Sequence, residues 1–369
     1  MRILQLMTVL GGGGAQRQLT YVSRELQARG HELCAGYFEP GFGSLPQDIP
    51  AHRLPYRNPW HPLQIVDILR LIRSWKPDVV HTWNLHMDVV GGLAAAAAGV
   101  PWVLREPTSP HNYDRFRARL RFFVARAAAK AVIANSPAGE RYWRENAPGV
   151  QRVLVPNAVP VEAIESTTPI ERSPGLRVGL FAGRFVTMKN VDVALRAFAE
   201  VMGEGDDVVL YLCGEGPERR NLIQLATRLG IRHAVHFTGF VSDVWRYLRA
   251  ADFALLLSDF EGRPNVVTEA FAAGTPVILS DIPAHRELAA GGGATLVPLR
   301  DVAATARAIQ EVLDDPQAAR ERATRARRLV AGCSVASVAS AFEKIYSAAC
   351  RASCQADVAR TLKSTPERV

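Results

Sequence analysis

The chain has 369 residues, 48% of them hydrophobic, a globular composition with room for about two domains with sizeable cores. No apolar run reaches the roughly 18 residues of a membrane-spanning helix. Five scattered cysteines (Cys34, Cys213, Cys333, Cys350, Cys354) fit a reducing compartment rather than a disulfide framework, and Cys350 with Cys354 alone would make a poor metal site. The net charge of +8 is uneven: residues 1–175 hold 20 Lys+Arg against 14 Asp+Glu, which points to an acidic partner for that half, and with no nucleic-acid-binding motif in view nucleic acid is the weaker choice.

Met1-Arg2-Ile3-Leu4 leads straight into a strand pattern with no cleavage region, so a cytoplasmic location is expected. The pattern predicts strands at 2–8, 32–38, 78–82, 102–104, 131–135 and 152–155, alternating with helices at 15–29, 63–75, 86–98, 113–130 and 137–146. A Pro-rich loop covers 40–62. Residues 159–175, with Pro160, Pro169 and Pro174, read as a linker. The alternation then restarts: strands at 176–182, 208–212, 235–237, 252–257 and 277–279, and helices at 191–202, 218–229, 243–250 and 265–273. Three Ala/Arg-rich helices follow at 302–314, 316–330 and 336–350, and the chain after residue 355 is expected to be flexible. Repeated β-α-β units argue two doubly wound parallel sheets, with ligands beyond the carboxyl ends of the strands and a cleft between the domains as the expected site. The expected boundaries are 1–158, linker 159–175, 176–340, and a C-terminal helix and tail 341–369.

Several strand ends carry chemistry. The first opens into Gly11-Gly12-Gly13-Gly14, a loop that lets backbone approach a phosphate. It fails the dinucleotide test, because a Gly-x-Gly-x-x-Gly pattern would need Gly or Ala where Gln16 and Arg17 stand. His81 ends the third strand, where it reads equally as a functional or a packed structural histidine. Arg105 and Glu106 end the next: Glu106 is a base, a hydroxyl ligand or a salt-bridge partner of Arg105. The basic helix 115–130 interleaves Arg115, Arg117, Arg119, Arg121 and Arg126 with Phe116, Phe122 and Phe123. It reads as a core-facing helix with a solvated basic face or as a surface for anionic lipid.

The second half is more specific. After the strand at 176–182 come Gly183 and Arg184, then Lys189 and Asn190. Arg184 and Lys189 bring two cations to the mouth of the cleft, where an anionic ligand would meet them. Cys213-Gly214-Glu215-Gly216-Pro217 is a tight turn, and Gly239-Phe240-Val241 ends another strand. Glu261-Gly262-Arg263-Pro264-Asn265-Val266-Val267-Thr268-Glu269 is a loop running into a helix that stops at Gly274. The first-turn N–H groups near Asn265 attract anions, and Glu261 and Glu269 flank them. A ligand with both phosphate and sugar hydroxyls suits that arrangement.

This Glu-x7-Glu stretch, with its Gly262, Pro264-Asn265 and Ala-Ala-Gly-x-Pro-Val continuation, resembles the signature of the family 4 retaining glycosyltransferases, which have the GT-B fold. The resemblance implies two Rossmann-like domains facing across a cleft and transfer of a sugar from a nucleoside diphosphate donor. It also implies roles: Glu261 toward the donor sugar, Glu269 on the ribose, Arg184 and Lys189 on the diphosphate with no metal required. Gly13, Gly14, Gly183, Gly214, Phe240, Val241, Gly262, Pro264, Asn265 and Val266 line the donor. On the acceptor side stand His81, like the family's strand-end histidine, and Arg105 and Glu106, where many relatives have a histidine. Asn190 replaces the family's usual glycine. UDP is the commoner donor in the family, and lipid-linked acceptors are frequent, which implies a role in bacterial polysaccharide or glycolipid synthesis and peripheral contact with the inner face of the cell membrane through helix 115–130. Two other readings keep the fold: a nucleotide-sugar 2-epimerase, disfavoured by the Glu-x7-Glu and by the lack of a histidine after Gly183, and a non-catalytic sugar-nucleotide-binding subunit, disfavoured by the intact Arg184, Lys189, Glu261 and Glu269.

Overall fold

The computed structural model of the chain describes residues 1–10, 13–41, 48–55, 60–106, 114–203 and 207–364, with side chains through residue 354. The chain divides into two compact units. One comprises Met1–Ala158 and Val335–Val369, the other Val159–Ser334.

The first unit is built on seven strands: β1 (Arg2–Leu10), β2 (Glu32–Pro40), β3 (Ala51–Arg53), β4 (Val79–Thr82), β5 (Trp102–Glu106), β6 (Ala129–Ala134) and β7 (Arg152–Leu154). All pair in parallel, in the order β3-β2-β1-β4-β5-β6-β7. The near-continuous burial of β1, β4 and β5 marks strands covered on both faces. The crossings are α1 (Gly14–Ala28), α2 (Leu63–Trp75), α3 (Leu85–Ala98), α4 (Arg115–Ala128) and α5 (Pro137–Asn146). Their ends follow from capping: the Asn84 and Ser136 side chains accept N–H bonds at the starts of α3 and α5, and Gly99 closes α3 at φ 70°. The three-residue edge strand β3 was not foreseen inside the 40–62 loop; with its residues exposed, it has no periodic apolar pattern to betray it.

The second unit holds β8 (Arg177–Ala182), β9 (Val208–Cys213), β10 (Val235–Gly239), β11 (Phe253–Leu256), β12 (Val277–Ser280) and β13 (Thr295–Val297), again all parallel, in the order β10-β9-β8-β11-β12-β13. Its helices are α6 (Val161–Ser166), α7 (Val191–Val201), α8 (Arg219–Arg228), α9 (Val244–Ala250), α10 (Asn265–Ala273), α11 (Pro283–Ala289), α12 (Val302–Asp314) and α13 (Pro316–Val330). The segment expected as a linker begins with α6, and its Val159 and Ile164 are fully buried in the core of this unit, so the proline spacing concealed a docked turn of helix.

The last helix, α14 (Val335–Ser364), runs past the expected end at Cys350. It belongs to the first unit. Val338, Ala339, Phe342, Ile345, Tyr346 and Ala349 form one stripe at helical spacing and join the core under β1 and α1. Each large apolar side chain so covered contributes about 1.5–3 kcal/mol.

Candidate functional site

In a doubly wound sheet the ligand crevice lies where the strand order reverses, at the carboxyl ends of the two strands there. In the second unit those strands are β8 and β11. β8 delivers Gly183, Arg184 and, after a short turn, Lys189; β11 delivers Ser258, Asp259 and Glu261. The structure joins the two strand ends directly: Lys189 Nζ forms an ion pair with Glu261 Oε1, both side chains being mostly buried. Arg184 is exposed and makes no ion pair among the described residues, so its charge is available to a ligand.

Residues that the sequence did not single out hold this pair in place. Ser258 Oγ donates to Glu261 Oε1 at 2.8 Å. Ser280, at the end of β12, donates from Oγ to the Ser258 carbonyl at 2.6 Å. His285 on α11 sets its Nδ1 2.9 Å from the Ser280 carbonyl and 3.2 Å from Ser280 Oγ. Ser258, Ser280 and His285 are all buried. Burial lowers the His285 pKa below the usual histidine range, against an upward pull from the bond to the Ser280 backbone.

Asn190 fastens the other side. It sits in the left-handed region (φ 49°, ψ 42°) and donates from Nδ2 to the Leu257 carbonyl at 2.8 Å and to Asp259 Oδ1 at 2.7 Å. The Asp259 backbone N–H in turn donates to the Met188 carbonyl. The Arg300 guanidinium, by hydrogen bonding, holds the Asp259 carboxyl below its ordinary pKa. Asparagine is the non-glycine residue best suited to this backbone, so it can stand where the resemblance implies a glycine.

Around the pair lie the other donor-side candidates. Gly214 passes so close to Gly183 that a Cβ there would stand 1.9 Å from the Gly183 carbonyl oxygen, so this turn admits no side chain. Its N–H donates to the Gly239 carbonyl, joining it to the strand end that carries Phe240, 56% exposed, and Val241, half-buried. α10 starts after Pro264, which brings no capping side chain, and ends at Gly274 (φ 74°). Its first turn holds no acid, and Asn265 and Val266 are half-buried, as is Gly262 in the loop before it. Glu269, one turn in, is 2% exposed.

In the first unit the glycine candidates stand at a helix start and the acceptor-side candidates are buried. Gly13 is the N-cap of α1 and Gly14 its first residue; Gly11 and Gly12 lie outside the described residues. His81 is fully buried: Nδ1 lies 2.8 Å from Tyr346 Oη, and the ring packs on Trp83 and Phe342. Burial lowers its pKa well below the usual range, helped by Arg105. Arg105 is 1% exposed, donates to Asn157 Oδ1 at 2.8 Å and lies over the Trp83 and Phe342 rings. Glu106 is fully buried; its Oε2 receives Arg121 Nη1 at 2.6 Å and Trp143 Nε1 at 2.8 Å. Arg121 also pairs with Asp88, which burial pushes up to about 6. His81, Arg105 and Glu106 therefore hold the interior of the unit: α14 and α3 pack on the strands that carry them, and α4 and α5 bring Arg121 and Trp143 to Glu106. The loop after Glu106, residues 107–113, lies outside the described residues.

Helix α4 divides in two. Arg121 faces inward with Ala118, Phe122 and Ala125. Phe116 and Phe123 are 75% and 70% exposed, and Arg115, Arg117, Arg119 and Arg126 are exposed on the same helix. No helix of the described residues is long and apolar enough to cross a membrane.

The chain resembles known proteins in sequence and in fold. Residues 12–163 match the family model described as Glycosyltransferase Family 4, and residues 165–329 the model described as Glycosyl transferases group 1. A lipopolysaccharide core biosynthesis glycosyltransferase, LpsD of Rhizobium meliloti, is 29% identical over 318 residues, covering 84% of this chain and 87% of its own. A glycogen synthase of Mycobacterium tuberculosis is 29% identical over 297 residues, 76% of this chain and 70% of its own. Among solved structures, HepE of Anabaena in complex with UDP-glucose superimposes with a TM-score of 0.81 over 94% of this chain and 99% of its own; at 22% identity that likeness is one of fold, which is GT-B.

Proposed function

We propose that this chain, which belongs to glycosyltransferase family 4, is a retaining enzyme that moves a hexose from a UDP-sugar to a glycan or lipid-linked acceptor in bacterial polysaccharide or glycolipid synthesis. The observation that carries the reading is the Lys189–Glu261 pair at the switch point of the second sheet, beside the uncommitted Arg184 and the start of α10. On this reading Arg184 and Lys189 neutralise charge as it develops on the diphosphate, and the N–H groups at the start of α10 receive a phosphate. Glu261 orients the sugar through its hydroxyls, and Glu269 holds the ribose. Gly214 and the strand end at Phe240 and Val241 bring backbone and an exposed ring against the base. Two protein cations make a metal unnecessary for this step. No carboxylate is placed as a nucleophile in this scheme. The acceptor hydroxyl attacks on the face the diphosphate leaves, a leaving phosphate oxygen takes its proton, and configuration is retained.

UDP is favoured over GDP by the donor found with HepE, and an envelope glycan acceptor by the likeness to LpsD. Contact with an anionic membrane is supported by the exposed Phe116 and Phe123 among arginines on α4. The deciding experiment is calorimetry with UDP, GDP, ADP and NAD in EDTA, followed by the matching nucleotide sugars. The reading requires tight binding of one nucleoside diphosphate, lost in Glu269→Ala; binding of NAD alone, or of none, overturns it.

A further inference from the structure

The bonds behind Glu261 run in one direction. The Ser280 carbonyl only accepts, so the bond from His285 fixes the proton on Nδ1 of a neutral imidazole. Ser280 spends its hydroxyl proton on the Ser258 carbonyl, and Ser258 spends its own on Glu261. Both donors to the carboxylate, the Ser258 hydroxyl and the Lys189 ammonium, converge on Oε1. Oε2 has no partner among the described residues, and the side chain remains 13% exposed. Glu261 is thus a one-sided acceptor, with one oxygen tied down and the other presented outward.

We propose that Ser258, anchored through Ser280 to His285, is a positioning residue for the sugar of the donor: it keeps Glu261 Oε1 pinned when Lys189 turns from Glu261 to the diphosphate, so that Oε2 stays aimed at a sugar hydroxyl. This rests on the reading of Glu261 and Lys189 given above. A diphosphate competes with Glu261 for the Lys189 ammonium, and an unanchored glutamate has three rotatable bonds through which to leave the sugar. A hydroxyl at Ser258 supplies the second anchor without adding charge.

The consequence is specific to the sugar. In Ser258→Ala the nucleoside diphosphate itself should bind as in the wild type, because its proposed contacts are Arg184, Lys189, the α10 N–H groups and Glu269. Its sugar conjugate should bind about tenfold more weakly and be consumed at least tenfold more slowly, one charge-assisted hydrogen bond being worth roughly that factor. The test is calorimetry of UDP, GDP and ADP against their glucose and mannose conjugates, with donor consumption followed alongside, in the wild type, Ser258→Ala, Ser280→Ala and Glu261→Gln. Ser280→Ala should move the same quantities in the same direction by a smaller factor; it serves in place of Ser258→Ala if that variant does not fold. Equal diphosphate affinity with weakened conjugate affinity supports the proposal. Wild-type conjugate binding and turnover in both serine variants, with Glu261→Gln impaired, overturns it while leaving the function intact. Undiminished turnover in Glu261→Gln, or binding of no nucleotide, overturns the functional reading beneath it.

Discussion

Lys189 and Glu261 are 72 residues apart in sequence and neutralise each other across the switch point of the second sheet. The pairing stores two opposite charges in a mostly buried place without leaving either uncompensated, and it makes each available to the part of a ligand that wants it. Lys189→Ala and Glu261→Ala should each reduce transfer by about a hundredfold or more, the usual scale for removing one preorganised electrostatic contact. Circular dichroism and thermal melting should show the fold retained. Unchanged turnover in either variant would remove the pair from the mechanism.

Asn190 gives a test that separates backbone from side chain. Asn190→Gly keeps the left-handed conformation and loses the bonds to Leu257 and Asp259. Asn190→Ala loses the same bonds and adds a Cβ penalty of about 1–2 kcal/mol in that region. The alanine variant should therefore be the less stable of the two in urea unfolding by about that amount. Both should lower transfer, since the turn bearing Lys189 is no longer tied to the loop bearing Glu261. Equal stability of the two variants would contradict the backbone argument.

Asp88 should give the first unit a measurable pH dependence. Its carboxyl titrates near 6 in the fold, raised by burial against the pull of Arg121 and Thr82, and near 3.8 when unfolded. The folded state thus binds the proton more tightly. The stabilisation this confers is complete below 3.8 and is lost as pH rises through 6. Between pH 5.0 and 7.5 the loss amounts to about 1.4 kcal/mol, one pKa unit's worth. The gap in unfolding free energy between the wild type and Asp88→Asn should shift by that much over this interval, in favour of the wild type at pH 5.0. Urea titrations read by emission of the buried Trp83, Trp102 and Trp143 would measure it, and parallel pH profiles would refute it.

Membrane contact through α4 is tested by flotation. The full chain should float with vesicles containing anionic phosphatidylglycerol and not with neutral ones, and the binding should weaken in salt. The double variant Phe116→Ser, Phe123→Ser should lose most of it, about 1.5–3 kcal/mol per ring being the scale of apolar burial. Absence of salt-sensitive flotation would leave α4 as a solvated face.

Much of this was legible in the residues. The bounds of α2, α5, α10, α12 and α13 coincide with the sequence reading, helped by signals such as Pro137, Pro316 and Gly274 that start or stop a helix through backbone geometry alone. Arg184 and Lys189 stood out because they follow a strong strand pattern, and Glu261 and Glu269 because their spacing frames a helix start. What escaped depended on distant partners. Nothing near His81 announces Tyr346, and nothing near Glu106 announces Trp143. Arg121 had a local clue: three residues after Ala118 and four before Ala125, it shares their inward face, so its phase on α4 marked it as a buried ion pair rather than a surface cation. Ser258 and Ser280 each close a run of apolar strand residues, the pattern that already drew attention to their neighbours.

The contact between His81 and Tyr346 spans 265 residues, and every residue of Val159–Ser334 lies between the two chain segments that make up the first unit. Vectorial synthesis from the ribosome therefore completes the second unit first, although it comes later in the sequence. The sheet that opens the chain must wait, its Gln5, His81 and Arg105 without the Phe342 and Tyr346 that cover them, until α14 emerges. A stop codon or proteolytic nick after Ser334 would consequently harm the beginning of the protein and spare the middle.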